Sequence, residues 1–226
     1  MLLPALSMPA VSQSNPSNGI GKLTAAGTPV ATVWRLEQTT TVGGHPVTVL
    51  GAPRVIADAT GQAVQFNGAT DGLLLPVNPL AGLAQFTIEA LIKPDATGPA
   101  EQRFLHLQDE RGSRALLEIR LTDAGWALDT FLRSENPPAE LPLLDRTKTH
   151  PANRWTWVAL VYADGHMAHY IDGVKELEGD VAFPPMTAGQ TSLGVRQNKV
   201  YWFKGGIREV RFHPVGLKPE ALQRLP

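Results

Sequence analysis

From about residue 30 to its end, the chain is cut at short intervals by Gly, Pro, Asn and Asp, and the runs between the cuts are rich in Val, Ile, Leu, Phe, Tyr and Trp. No run sustains the period of a long helix. Strands are expected at Val30–Leu36, Val47–Leu50, Ala63–Asn67, Leu73–Leu75, Phe86–Lys93, Arg103–Gln108, Ala115–Leu121, Trp126–Arg133, Arg154–Tyr162, His166–Ile171, Thr191–Val195 and Tyr201–Phe212. So many strands without crossover helices predict an all-β, antiparallel two-sheet sandwich rather than an α/β fold. Only Lys218–Leu225 is expected to hold a helical turn, and no internal repeat marks a propeller or solenoid.

Length and charge narrow what such a sandwich can do. With 226 residues, 43% of them hydrophobic and 18% charged, the chain can bury one large core. Twenty basic and 21 acidic residues give a net charge of −1, too balanced to draw in nucleic acid or an anionic membrane. No apolar run approaches the roughly 20 residues that cross a bilayer as a helix. The absence of cysteine removes disulfides, thiolate metal sites and cysteine nucleophiles together. Met1–Ala10 is apolar but lacks a positive start, so it reads as a signal remnant or an ordinary mobile terminus, and Ser12–Gly21 reads as linker. The expected division is a flexible segment over residues 1–23 and one domain over 24–226.

Four segments, in order, carry a family likeness: Val64-Gln65-Phe66-Asn67-Gly68; Phe86-Thr87-Ile88-Glu89-Ala90-Leu91-Ile92-Lys93-Pro94; Arg154 to Tyr162 followed by His169-Tyr170-Ile171-Asp172-Gly173-Val174; and Tyr201 to Phe212. Their order and spacing resemble the laminin G-like jelly rolls of the concanavalin A-like lectin and glucanase superfamily. That resemblance implies a jelly-roll sandwich, a secreted, periplasmic or cell-surface location, and a carbohydrate ligand. Asn67 and Arg208 stand where relatives commonly carry aspartate, which weakens any transfer of an acidic or calcium-linked role.

Strand alternation gives an independent reading. Phe86, Ile88, Ala90 and Ile92 share one face, and Asp172-Gly173 suits a hairpin turn in which glycine supplies positive φ. Trp155, Trp157, Trp202 and Phe203 are expected mainly as core, and Gly205-Gly206 as a bulge. Phe86, Ile88, Leu117, Ile119, Trp157, Ile171 and Val210 are expected in the interior.

Bulky polar residues fall in register on several strands. Glu118 and Arg120 project together with Arg114 and Leu116; Asp129 aligns with Arg133, His106 with Gln108, and His169 alternates out of phase with Tyr170. His106, Gln108, Glu118, Arg120, Asp129, Arg133 and His169, with Arg196 and Tyr201, are the expected lining of a concave sugar groove; the rival is a lattice of surface ion pairs, each worth about 0.2–1 kcal/mol. Guanidinium forks at Arg103, Arg120, Arg133 and Arg196 would suit carboxylates, although the balanced net charge argues against a strongly anionic polymer.

Catalysis has weaker support. A retaining glycosidase needs two carboxyls about 5–5.5 Å apart, and the superfamily's glucanases supply them from one strand, where this chain reads Glu118-Ile119-Arg120. No carboxylate partner for Glu118 is expected. A lyase would use His106, His169, Tyr170 or Tyr201 for proton transfer beside an arginine, and it stands as the enzymatic alternative; a pure adhesion module is the other. No serine sits in a nucleophile elbow, and the histidines lack a ligand pair. No cofactor is expected, apart from a structural calcium that Asp71, Asp109 or backbone carbonyls could hold.

Overall fold

The computed structural model describes residues 31–225. The expected leader and linker within residues 1–23, and the start of the first expected strand, lie outside them. Seventeen strands follow: β1 Thr32–Arg35, β2 Thr41–Val42, β3 His45–Pro46, β4 Thr48–Leu50, β5 Arg54–Asp58, β6 Gly61–Asn67, β7 Gly72–Leu75, β8 Phe86–Pro94, β9 Glu101–Asp109, β10 Arg114–Thr122, β11 Gly125–Glu135, β12 Pro138–Leu144, β13 Thr156–Ala163, β14 His166–Ile171, β15 Val174–Asp180, β16 Gly189–Leu193 and β17 Lys204–His213. A 3₁₀ turn at Pro219–Ala221 falls inside the expected helical stretch.

One antiparallel sheet runs β15-β14-β13-β8-β17-β6-β5, with β1 paired to β17; the other runs β12-β11-β10-β9-β16-β7-β4. The jelly-roll sandwich is therefore present. Every expected strand exists. Five strands were not announced by the sequence: β2 and β3, which pair only with each other, and β5, β12 and β15, which all lie at sheet edges. Edge strands need no continuous apolar face, and β12 carries Pro138 and Pro142 while β15 carries Lys175, Glu176, Glu178 and Asp180.

Two-residue turns set the register of the hairpins. Ile171 pairs with Val174 across Asp172 (φ 46°) and Gly173 (φ 77°), the doubly left-handed turn that matches strand twist. In the other sheet, Thr122 pairs with Gly125, which fixes everything β10 places opposite β11.

Between the sheets lies one apolar cluster that includes Trp34, Phe66, Phe86, Ile88, Phe104, Leu117, Ile119, Trp126, Phe203 and Val210. Burying side chains of this size stabilises by about 1.5–3 kcal/mol each before conformational entropy is charged. Trp157 departs from expectation. It is buried, but on the outer face of its sheet, beneath Arg211, whose guanidinium carbon lies 5.2 Å from the indole centre. The next residue, Val158, is the one that enters the core.

Candidate functional site

The outer face of the β12–β4 sheet gathers most of the expected polar residues. Leu117 and Ile119 of β10 point into the core, so Arg114, Leu116, Glu118 and Arg120 point out. Their partners on β11 are Arg133, Phe131, Asp129 and Ala127; on β9 they are Gln108, His106, Arg103 and Glu101. A register shift between Leu117 and Glu118 lets both His106 and Arg103 face outward although they are three residues apart. Simple alternation groups His106 with Gln108 and leaves Arg103 on the other side.

The centre of this face is an ion cluster. Arg120 Nη2 lies 2.5 Å from Asp129 Oδ2 and 3.0 Å from Glu118 Oε2, while Arg103 Nε lies 2.9 Å from Glu118 Oε2. Arg103 is capped by the Tyr201 ring, 3.7 Å from guanidinium carbon to ring centre. Arg133, at the strand's end, contacts Glu135 at 2.9 Å and Glu140 at 3.7 Å. Burial pushes the Asp129 carboxyl up to about 6, with Glu118 adding to the rise and Arg120 opposing it.

Glu118 and Asp129 overturn the expectation that Glu118 has no acidic partner. Both carboxylates reach the same nitrogen of Arg120, so their nearest oxygens are no more than about 5.5 Å apart, which does not exceed the spacing of retaining glycosidases. The second acid comes from the neighbouring strand rather than from β10. Counting outward from the two-residue turn between Thr122 and Gly125 would have found it. Arg120 occupies both carboxylates, however, and their side chains are only 4% and 6% exposed.

Above the cluster is a hollow of about 230 Å³, walled by Arg103, Arg114, Arg120 and Arg196 and by the apolar Phe131 and Pro142. Along the same sheet lie a second, of about 360 Å³, lined by Gln108, Gln190 and Gln197, and, adjoining it at Pro76 and Gln190, a third, of about 270 Å³, against Pro46, Val47 and Leu74. A larger hollow of about 550 Å³ lies at the end of the sandwich, between the Thr122–Gly125 turn and residues 96–100 and 151–153. Its walls are mostly alanine and glycine, and none of the expected site residues reach it.

His106 is buried in the floor. The Gln197 backbone N–H donates to its Nδ1 at 3.1 Å, while burial, followed by the fields of Arg196, Arg114 and Arg103, holds its pKa down to about 3. The ring is thus neutral, with its proton on Nε2. Eight of the nine expected residues, namely His106, Gln108, Glu118, Arg120, Asp129, Arg133, Arg196 and Tyr201, share this face or its rim.

His169 does not. It sits on β14 in the opposite sheet and points into the interior, with Nδ1 3.0 Å from Thr130 Oγ1 of β11. Burial drives its pKa down to about 4. Tyr170 projects from the far side of that sheet into a small cluster with Leu222 and Leu217. The sequence reading left out Arg114 and Phe131, which alternation already placed beside Glu118 and Asp129.

The other polar candidates are structural. Asn67 Oδ1 accepts from the N–H groups of Ala69, Thr70 and Asp71, and Arg208 grips both oxygens of Asp58 at 2.8 Å while lying 4.1 Å from the Trp155 ring centre. Asp71 accepts from the N–H groups of Ala52 and Asn67; Asp109 accepts from those of Arg111, Ser113 and Thr187. Each aspartate thus ties loop backbone through both of its oxygens.

Among the described residues no helix is long and apolar enough to cross a membrane. No curated protein sequence matches the chain. Solved structures do: domain 4 of AbnA, an extracellular family 43 arabinanase from Geobacillus stearothermophilus, in complex with arabinotriose, superposes with a TM-score of 0.63 at 21% identity, over 86% of this chain and 97% of that one. The ligand-binding domain of botulinum neurotoxin serotype D, in complex with N-acetylneuraminic acid, gives 0.61 at 15% identity, over 84% of this chain and 48% of that one. The binding domain of Paraclostridial Mosquitocidal Protein 1 gives 0.61 at 11%, over 84% and 50%. At these identities the likeness is one of fold, and this chain spans about half of the toxin domains. A laminin G-like family profile matches residues 66–223, and with the two antiparallel sheets it shows that the chain belongs to the concanavalin A-like lectin/glucanases superfamily.

Proposed function

We propose that the chain is a carbohydrate-binding module that lays an oligo- or polysaccharide across the outer face of its β12–β4 sheet, in a secreted, periplasmic or cell-surface setting, with residues 24–226 acting as one domain. The observation that carries this reading is the row of three hollows crossing that face from Arg114 to Pro46. With strands about 4.8 Å apart, the row extends roughly 20 Å, which suits a chain-like ligand better than a compact one. Its walls supply what sugars need: guanidinium and amide donors, carboxylate acceptors, and the apolar ring of Phe131. The complexes of the arabinanase domain with arabinotriose and of the neurotoxin domain with N-acetylneuraminic acid support it by analogy of fold.

A hydrolytic reading draws on the Glu118–Asp129 pair, but Arg120 holds both acids and leaves neither free to attack or protonate a glycosidic bond. A lyase reading keeps only His106 and Tyr201 on the right face. Incubation with a panel of neutral and acidic glycans, followed by product analysis and affinity electrophoresis, separates the three. Retention without cleavage is expected. New reducing ends would establish a hydrolase, unsaturated ends a lyase, and retention of no glycan would end the carbohydrate reading.

A further inference from the structure

We propose that the basic end of this face is a seat for an anionic substituent, a carboxylate or sulfate of an acidic glycan, held between Arg114 and Arg196. The inference rests on the carbohydrate reading and specifies its ligand class. Four guanidinium groups line the hollow against two carboxylates, and both carboxylates are already engaged by Arg103 and Arg120. That leaves Arg114 and Arg196. Arg196 has no ion pair among the described residues, and Arg114 reaches only Glu135, at 3.8 Å, a carboxylate that Arg133 holds more closely at 2.9 Å.

Besides Arg103 Nε, which has the Glu118 carboxylate 2.9 Å away, two buried N–H donors on the same face are unsatisfied. His106 carries its proton on Nε2, because Nδ1 accepts from Gln197, and that Nε2 has no partner; neither does Arg114 Nε. Buried donors are seldom left unmade in a native protein, since each costs about 1–3 kcal/mol. Burial lowers the pKa of both residues most; the fields of Arg196, Arg114 and Arg103 add to it at His106, and those of Arg133 and Arg196 add to it at Arg114, where Glu135 and Glu140 oppose them. A neutral hydroxyl would leave the repulsion among these cations; an oxyanion offsets it. Phe131, whose ring centre lies 5.7 Å from the Arg114 guanidinium carbon, offers the adjoining apolar surface for the sugar ring that bears the anion.

The test compares trigalacturonate with its carboxyl-reduced, neutral counterpart by isothermal titration at pH 7, using wild type and Arg196→Gln. Arg196 is a loop residue outside the ion cluster, and an unchanged melting temperature confirms that its variant is folded. The wild type is expected to prefer the uronate at least tenfold, the preference to shrink at high salt, and Arg196→Gln to reduce the ratio at least fivefold. Equal affinity for both trisaccharides would overturn the anionic seat while leaving the carbohydrate reading in place. Binding of neither would remove the reading on which the seat depends, and a preference untouched in Arg196→Gln would place the anion elsewhere.

Discussion

Glu118 and Asp129 face each other across β10 and β11 as register partners, and their carboxylates converge on one nitrogen of Arg120. Two like charges on a buried floor are tolerable only because a guanidinium lies between them. The cluster thus fixes the shape of the floor.

Arg120→Ala is expected to lower unfolding free energy by about 3–5 kcal/mol, the usual consequence of stranding buried charge. Adding Glu118→Gln and Asp129→Asn should recover much of that loss, because the stranded charges are gone. Urea denaturation of the single and triple variants checks this. A loss below about 1 kcal/mol in the single variant would mean that the two carboxylates are solvated and the cluster is an ordinary surface lattice.

Asp129 sets a pH dependence of definite sign. Its carboxyl titrates near 6 when folded, against about 3.9 in an unfolded chain. Between those values the folded state holds more protons, so stability from this group is greatest at acid pH and falls as pH rises toward 6. The wild type should therefore lose stability relative to Asp129→Asn as pH is raised from 4.5 to 7. A constant offset between their melting curves over that range would show that Asp129 titrates normally.

Buried histidine gives the opposite slope. His169 titrates near 4 when folded, mainly through burial, with Glu176 raising it and His150 and Lys148 lowering it. An unfolded histidine titrates near 6.5, so between 6.5 and 4 the unfolded state holds the extra proton and stability drains away as pH falls. His169→Gln, which can still reach Thr130 Oγ1, should narrow its gap to wild type steadily as the solution is acidified through that window. Parallel curves would mean that His169 charges without opening the interior. His106, held near 3, contributes with the same sign and remains present in both proteins.

How much of this was legible depended on whether a strand's two faces differ. On β10, Ala115, Leu117, Ile119 and Leu121 alternate with Arg114, Glu118 and Arg120, so the polar face could be read directly. On β14 the inner face packs in the sandwich and the outer face packs under Leu217 and Leu222. With both sides covered, Met167, His169 and Ile171 show no contrast with Ala168 and Tyr170, and the wrong side was assigned to His169. Trp157 was misplaced for the same reason. Arg103 was hidden by a β-bulge, which shifts parity without leaving a glycine or proline to mark it. The edge strands β5, β12 and β15 gave too little apolar signal to be seen at all.

Tyr201 separates a ligand contact from a structural one. It is 41% exposed, lies in a loop rather than in the strand expected there, and holds φ at 59°, a left-handed conformation that costs a non-glycine residue about 1–2 kcal/mol. What it gains within the protein is the stack over Arg103, worth about 0.5–1 kcal/mol at an exposed site; the Arg103 N–H bond to its carbonyl would survive any side chain. Tyr201→Gly removes the ring and relieves the backbone together, and glycine's greater unfolded-state freedom offsets part of the relief. The net change in stability is expected to stay within about 1 kcal/mol. Glycan affinity is expected to fall at least fivefold, because the ring is poised at the rim where a sugar would stack. A variant that loses more than 2 kcal/mol would make the ring a structural cap on Arg103, and one that retains full affinity would take Tyr201 out of the site.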